Sequence, residues 1–263
     1  MLEVIDKGSC NESHPVPLLF VHGGWHAAWC WDEYFLDFFA DRGYRALALS
    51  LRGHGGSPTP KPLRACSIAD YVDDLASIAD SLSTRPVVIG HSMGGFVVQK
   101  YLESRDAPAA VLVASVPARG ALAGAMRRMK RYPWNTLRAV LTGKSLHAVA
   151  ATPQLCRESF FSTHTPGTQV LQYHARLQEE SARAIWLDMM LLNLPRPKKV
   201  TTPLLVVGTE CDALFTPSEQ RRTARAYGTE AEMFPEMGHD MMLEPAWAAV
   251  AERIHMWLGT RGL

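Results

Sequence analysis

At 263 residues, with 47% hydrophobic and 20% charged positions, the chain has the make-up of one large globular domain, or of a core carrying an insertion. A net charge of +1 gives no global field for nucleic acid or acidic membranes, so function through bulk charge is excluded. No apolar run approaches the roughly 20 residues of a membrane helix, and the five cysteines (Cys10, Cys30, Cys66, Cys156, Cys211) show no ligand-like spacing, so neither a transmembrane segment nor a metal site is expected. An odd cysteine count, with an acidic start that lacks an apolar stretch, predicts reduced thiols in a cytoplasmic chain.

In chain order, the first residues through Pro17 are expected at the surface or in a minor edge strand. Short apolar runs predict buried strands at 17–21, 45–49, 86–89, 110–114 and 203–207, with a further one near 230–234. Helices fall between them. Residues 31–42 place Tyr34, Phe35, Phe38 and Phe39 on one face, and Ser67 caps a helix through Ser81 with Ile68, Tyr71, Val72, Leu75 and Ile78 at helical spacing. A C-terminal helix is predicted over 244–258, with Pro245 in its first turn. The alternation predicts an α/β fold, a mostly parallel central sheet flanked by helices. One stretch breaks it. From Arg119 to Lys199 the text is helical, rich in Met and aromatics, and returns to strand-like sequence at both ends. The predicted organisation is therefore a core of residues 1–118 and 199–263 with an inserted helical cap at 119–198.

Gly90-His91-Ser92-Met93-Gly94-Gly95 follows Val87-Val88-Ile89 and precedes a helical pattern. A GxSxG motif between a strand and a helix sets a serine on a tight turn, with small neighbours and helix-terminal N–H groups aimed at developing negative charge. A serine needs a base to be nucleophilic near neutral pH. Of ten histidines, His239 lies in the loop before the last helix, after the serine and the candidate acid in chain order. His91 adjoins the serine, but side chains one residue apart diverge, so it reads as structural; His22 reads as buried and structural, and His54 as a loop-shaping residue. His147, His164 and His174 fall in the cap. The orienting acid is expected at Asp212, after the apolar run 204–207, with Glu210 the runner-up and Asp188 third. Asp240 beside the base reads as a solvated or capping carboxylate. Two backbone donors for an oxyanion are expected at Gly24 and Met93.

These segments resemble the α/β-hydrolase fold superfamily: Val21 to His26, Leu51 to Ser57, Gly90 to Gly95, Gly208 to Asp212, and Gly238-His239. The order is the expected one and spans nearly the whole chain. His22-Gly23-Gly24-Trp25-His26-Ala27-Ala28-Trp29-Cys30-Trp31 is similar to the plant methylesterase and hydroxynitrile lyase branch, a resemblance that implies the donor at Gly24 and its partner at Met93. The lyases carry a lysine directly after the histidine; Asp240 here points away from lyase activity. Arg52-Gly53-His54-Gly55-Gly56-Ser57 and the long cap look more like bacterial lysophospholipase-like and esterase-like relatives. Haloalkane dehalogenases and epoxide hydrolases use an aspartate at the elbow, from which Ser92 separates this chain.

The reaction expected is two-step acyl transfer on a carboxylic ester, with a small-molecule substrate and no cofactor. The same constellation also serves lactone, thioester or carbon–carbon bond hydrolysis, cofactor-free acyl transfer or cyclisation, and, in another class, a ligand receptor that kept the fold. Candidate pocket residues are Trp25, Trp134, Phe160, Phe161, Trp186, Met189 and Met190, which would favour an apolar substrate unless they only pack the cap on itself. Between Arg119 and Arg157 stand eight basic residues (Arg119, Arg127, Arg128, Lys130, Arg131, Arg138, Lys144, Arg157) and no Asp or Glu before Glu158, read either as a solvated basic face or as an attractor for an anionic substrate or lipid surface.

Overall fold

Strands buried on both faces read as near-continuous apolar runs, and five of the seven strands have that character. In the computed structural model, which describes residues 1–263, β2 (Leu18–Val21), β3 (Ala46–Leu49), β4 (Val87–His91), β5 (Ala110–Val113) and β6 (Leu204–Thr209) are buried at every position. β1 (Val4–Lys7) and β7 (Ala231–Phe234) are half-buried and close the two edges. The sheet runs β1-β3-β2-β4-β5-β6-β7; β1 pairs antiparallel with β3 and every other pair is parallel. The chain therefore lays β3 on one side of β2 and then crosses to lay β4 on the other. That reversal opens a crevice beyond the carboxyl ends of β2 and β4, the place where such sheets bind ligands.

The helix expected over 31–42 is two short helices, α1 (Trp29–Asp32) and α2 (Phe35–Ala40), separated at Tyr34. Tyr34 leaves helical geometry and stacks on Trp247 at 4.9 Å, while its hydroxyl meets that of Tyr173 at 3.1 Å. Tertiary aromatic packing overrides the local periodicity here. α3 (Ile68–Ser81) begins at Ser67 in a full capping box with Asp70. α4 (Met93–Tyr101) follows β4 directly.

Between β5 and β6 the backbone forms no strand. It builds α5 (Leu122–Arg131), α6 (Pro133–Thr142), α7 (Pro153–Phe160), α8 (Gly167–Arg176) and a π-helical stretch, Ala184–Leu192. α9 (Pro217–Ala226) and α10 (Trp247–Gly259) complete the core. α10 starts three residues later than predicted, because Glu244 is not a helix residue. Its buried carboxylate accepts hydrogen bonds from Gly238 N (2.8 Å), Ser162 Oγ (2.8 Å) and Thr165 Oγ1 (2.8 Å), pinning the loop after β7 to the helical segment. No helix is long and apolar enough to cross a membrane.

Candidate active site

The elbow after β4 is built by close backbone approach. Ser92 has φ 51 and ψ −115, a left-handed conformation that costs a non-glycine residue about 1–3 kcal/mol and is characteristic of functional sites. A Cβ on Gly90 would lie 2.4 Å from the Gly94 carbonyl oxygen, and one on Gly94 would lie 2.3 Å from that of Val21. Only glycines permit the turn to close against β2. The serine hydroxyl stands at the top of the sheet, at the N-terminus of α4.

His239 comes to it from the loop after β7. Its Nε2 lies 2.8 Å from Ser92 Oγ, and its Nδ1 donates to Asp212 Oδ2 at 2.9 Å. Asp212, in the loop after β6, is held by four donors in all: Leu214 N (2.8 Å) and Phe215 N (3.0 Å) on Oδ1, and Gln220 Nε2 (3.0 Å) and the imidazole on Oδ2. The three residues predicted from sequence are thus brought together in hydrogen-bond reach. Burial disfavours the imidazolium of His239, but Asp212 at its Nδ1 and Asp240 nearby outweigh this and raise its pKa above the ordinary histidine value.

The loop after β2 supplies the facing wall. Gly23 lies so close to the elbow that a Cβ there would sit 2.6 Å from His91 Nδ1 and 3.0 Å from Ser92 Cβ. The next residue, Gly24, lines the same cavity as Ser92 and Met93. Met93 is the first residue of α4, so its N–H has no acceptor within the helix, and neither it nor Gly24 N–H donates elsewhere in the protein. Trp25 follows at φ 67, and its indole donates to Ser145 Oγ (3.0 Å) in the helical segment.

The other histidines take supporting places. His22 donates from Nδ1 to Gly23 O (2.7 Å) and accepts Leu51 N at Nε2 (3.0 Å), which uses both faces of a neutral ring; burial holds its pKa well below the usual range. His91 donates to the carbonyl of His239 (3.0 Å) and is pushed down to about 3 by burial and by His239. His54 lies 3.0 Å from the buried carboxylate of Glu180.

Asp240 is a correction. The structure buries it completely, with Oδ2 at 3.1 Å from His26 Nε2, while His26 Nδ1 bonds the Gly24 carbonyl at 2.8 Å. An acid beside a loop histidine reads as solvated in sequence; its partners, His26 and His91, lie far away in the chain. Burial opposes its ionisation, but these imidazoles prevail and its pKa is lowered. Asp240, His91 and His239 have ligating atoms within 4.8 Å of one another, yet both nitrogens of His239 and Nε2 of His91 are already engaged in hydrogen bonds, which leaves only His91 Nδ1 and Asp240 Oδ1 without a partner. Glu210 is exposed and pairs with Arg221, and Asp188 accepts Ile68 N (2.9 Å) at the start of α3, so neither rivals Asp212.

The cavity above Ser92 measures about 80 Å³ and is mostly apolar. Of the candidate pocket residues, Trp25, Trp186, Met189 and Met190 line it. Trp134 does not: it is 77% exposed, because α6 turns Thr136 and Ala139 inward instead. Phe160 and Phe161 are buried but lie outside the lining; Phe160 packs on Trp25, His26 and His239, and Phe161 stacks on Tyr173. Sequence reasoning missed Gln220, Val116, Leu214 and Phe215. It also grouped Arg128 with its neighbours, although Arg128 is buried and lines the cavity.

The alpha/beta hydrolase family model matches residues 18–253. The chain belongs to that family. Among curated relatives, a non-heme chloroperoxidase of Streptomyces lividans is 39% identical over 106 residues, covering 39% of this chain and 37% of that protein. A probable esterase of Oryza sativa subsp. indica is 30% identical over 161 residues, covering 56% of this chain and 60% of the relative. The chain thus spans little more than a third of the length of the first of these relatives. A thermophilic esterase from Thermogutta terrifontis, solved with malate bound, superimposes with a TM-score of 0.77 at 20% identity, covering 100% of this chain and 94% of that one. At that identity the likeness concerns the fold.

Proposed function

We propose that this protein is a serine hydrolase that cleaves a carboxylic ester of a small, mainly apolar substrate through an acyl-enzyme intermediate. The observation that carries the reading is the hydrogen-bonded run Ser92–His239–Asp212, 2.8 and 2.9 Å, beside two unengaged backbone N–H groups. His239 Nε2 takes the proton as Ser92 Oγ attacks the carbonyl carbon. The oxyanion is met by Gly24 and Met93 N–H, and Asp212 stabilises the imidazolium. Collapse expels the alcohol, which receives the proton from His239. Water then attacks the acyl-enzyme by the same route and releases the acid. Residues 119–198 act as a cap over the site, and the mostly apolar cavity beside Ser92 suits a small molecule.

The test is a p-nitrophenyl ester series from short to long acyl chains, with Ser92→Ala as control. Turnover lost in the variant supports the reading, and the preferred chain length sizes the cavity. No turnover across the series by folded protein that also resists a fluorophosphonate would sink it.

A further inference from the structure

The basic run in the helical segment does not act as one face. Arg119, Lys130, Arg131, Arg138 and Lys144 are exposed, Arg127 pairs with Glu219 and Leu214 O, and Arg157 bonds Ser162 O. Arg128 alone of the run borders the cavity, where it is the one charged lining residue. It is 9% exposed and forms no ion pair with any Asp or Glu. Its Nε donates to Ala148 O (2.8 Å), and its Nη2 to Ser159 Oγ (2.6 Å) and Val149 O (3.4 Å). The guanidinium lies 4.5 Å over the Tyr132 ring.

These contacts tie α5 to the chain around α7, and they use one edge of the guanidinium. Nη1, with two N–H groups, donates to nothing in the protein, and it is not among the sealed-off unpartnered atoms. A cation with no paired carboxylate beside an apolar cavity is costly; burial pushes this guanidinium down to about 10, and Glu158, acting only at a distance, does not offset it. Arginine's remaining N–H pair is a ready donor to a carboxylate, and such charge-assisted bonds are about twice as strong as neutral ones. Ser92, Met93 and Gly24 belong to the core, and Arg128 to α5 across the same cavity.

We infer that Arg128 seats a carboxylate carried by the substrate, so that the preferred ester is anionic, with its free carboxylate against α5 and its scissile carbonyl at Ser92. This inference rests on the ester-hydrolase reading above and names its substrate class.

The experiment compares p-nitrophenyl hemi-esters of dicarboxylic acids, from adipate to sebacate, with their neutral terminal amides, in the native protein, Arg128→Met and Arg128→Lys. The native protein is expected to favour one length of hemi-ester over its amide by roughly tenfold or more in kcat/KM, chiefly through KM. Arg128→Met brings that ratio towards one, and Arg128→Lys retains part of it. A ratio near one in the native protein, or a ratio that Arg128→Met leaves unaltered, overturns the inference while the amide reaction still upholds the esterase. Should Arg128→Met fail to fold, competition by the free dicarboxylate against the amide ester in native protein supports the seat, and no competition overturns it. Should no ester turn over, the esterase reading fails by itself. Calorimetric binding of the dicarboxylate to Ser92→Ala, lost in Ser92→Ala/Arg128→Met, would then still support the seat, and no binding would overturn it.

Discussion

The elbow after β4 and the helical segment between β5 and β6 both border the cavity, but they are specified in different ways. At the elbow, position is dictated by backbone: Ser92 at positive φ, Gly90 and Gly94 where no Cβ fits, and a fully buried strand that is apolar up to His91. In the helical segment, position is dictated by which way each helix is turned, so Thr136 and Arg128 face the cavity while Trp134 and Met129 face out. Backbone constraints leave marks in sequence, as obligatory small residues and unbroken apolar runs. Helix rotation is decided by partners distant in the chain and leaves few.

The largest effect that separates the two regions is loss of the proposed nucleophile. Ser92→Ala or His239→Ala is expected to lower kcat by at least about 10⁴-fold, and the double variant by little more than either alone, read by steady-state kinetics. Next comes a pair of glycines. Gly94→Ala puts a Cβ about 2.3 Å from a backbone oxygen and should displace the elbow, costing about 100-fold in kcat/KM. Gly167→Ala in the helical segment would meet only Arg157 Nη2, at 3.8 Å, and should leave rate and melting temperature near native values. Similar losses in both would break the contrast.

The pH profile gives a smaller and more diagnostic effect. In the proposed mechanism His239 works as a base when neutral, and its pKa is raised, so kcat/KM should fall as pH drops through a value above the ordinary 6.5 of histidine. Asp240 favours the charged imidazole, so Asp240→Asn should move that acid limb to lower pH, with a loss of about tenfold at the plateau because His26, and through it Gly24, loses its anchor. An unmoved limb would show that Asp240 acts on packing alone. Smallest is a tryptophan pair: Trp186→Ala should change KM for long acyl chains a few-fold and shift the preferred length, whereas the exposed Trp134→Ala should not.

The core was legible because the inner strands of the parallel sheet are mostly continuous apolar runs, and because the loops after β4 and β6 follow such runs closely. The geometry places Ser92, Asp212 and His239 in those loops. What escaped sequence reading shares one cause. Asp240 and Gln220 are polar residues whose burial is made by chain distant from them, so nothing local distinguishes them from solvated neighbours. Arg128 stands beside Arg127 in an acid-free run, and only the turn of α5 sends one to Glu219 and the other to the cavity. The split between α1 and α2 likewise depends on Trp247, more than two hundred residues along the chain from Tyr34.

The most direct measurement of the central claim is mass spectrometry of the protein after reaction with a fluorophosphonate. The account predicts one covalent adduct, on Ser92, formed rapidly in native protein and almost not at all in His239→Ala. An adduct on another residue, or labelling of Ser92 at the same rate without His239, would contradict it.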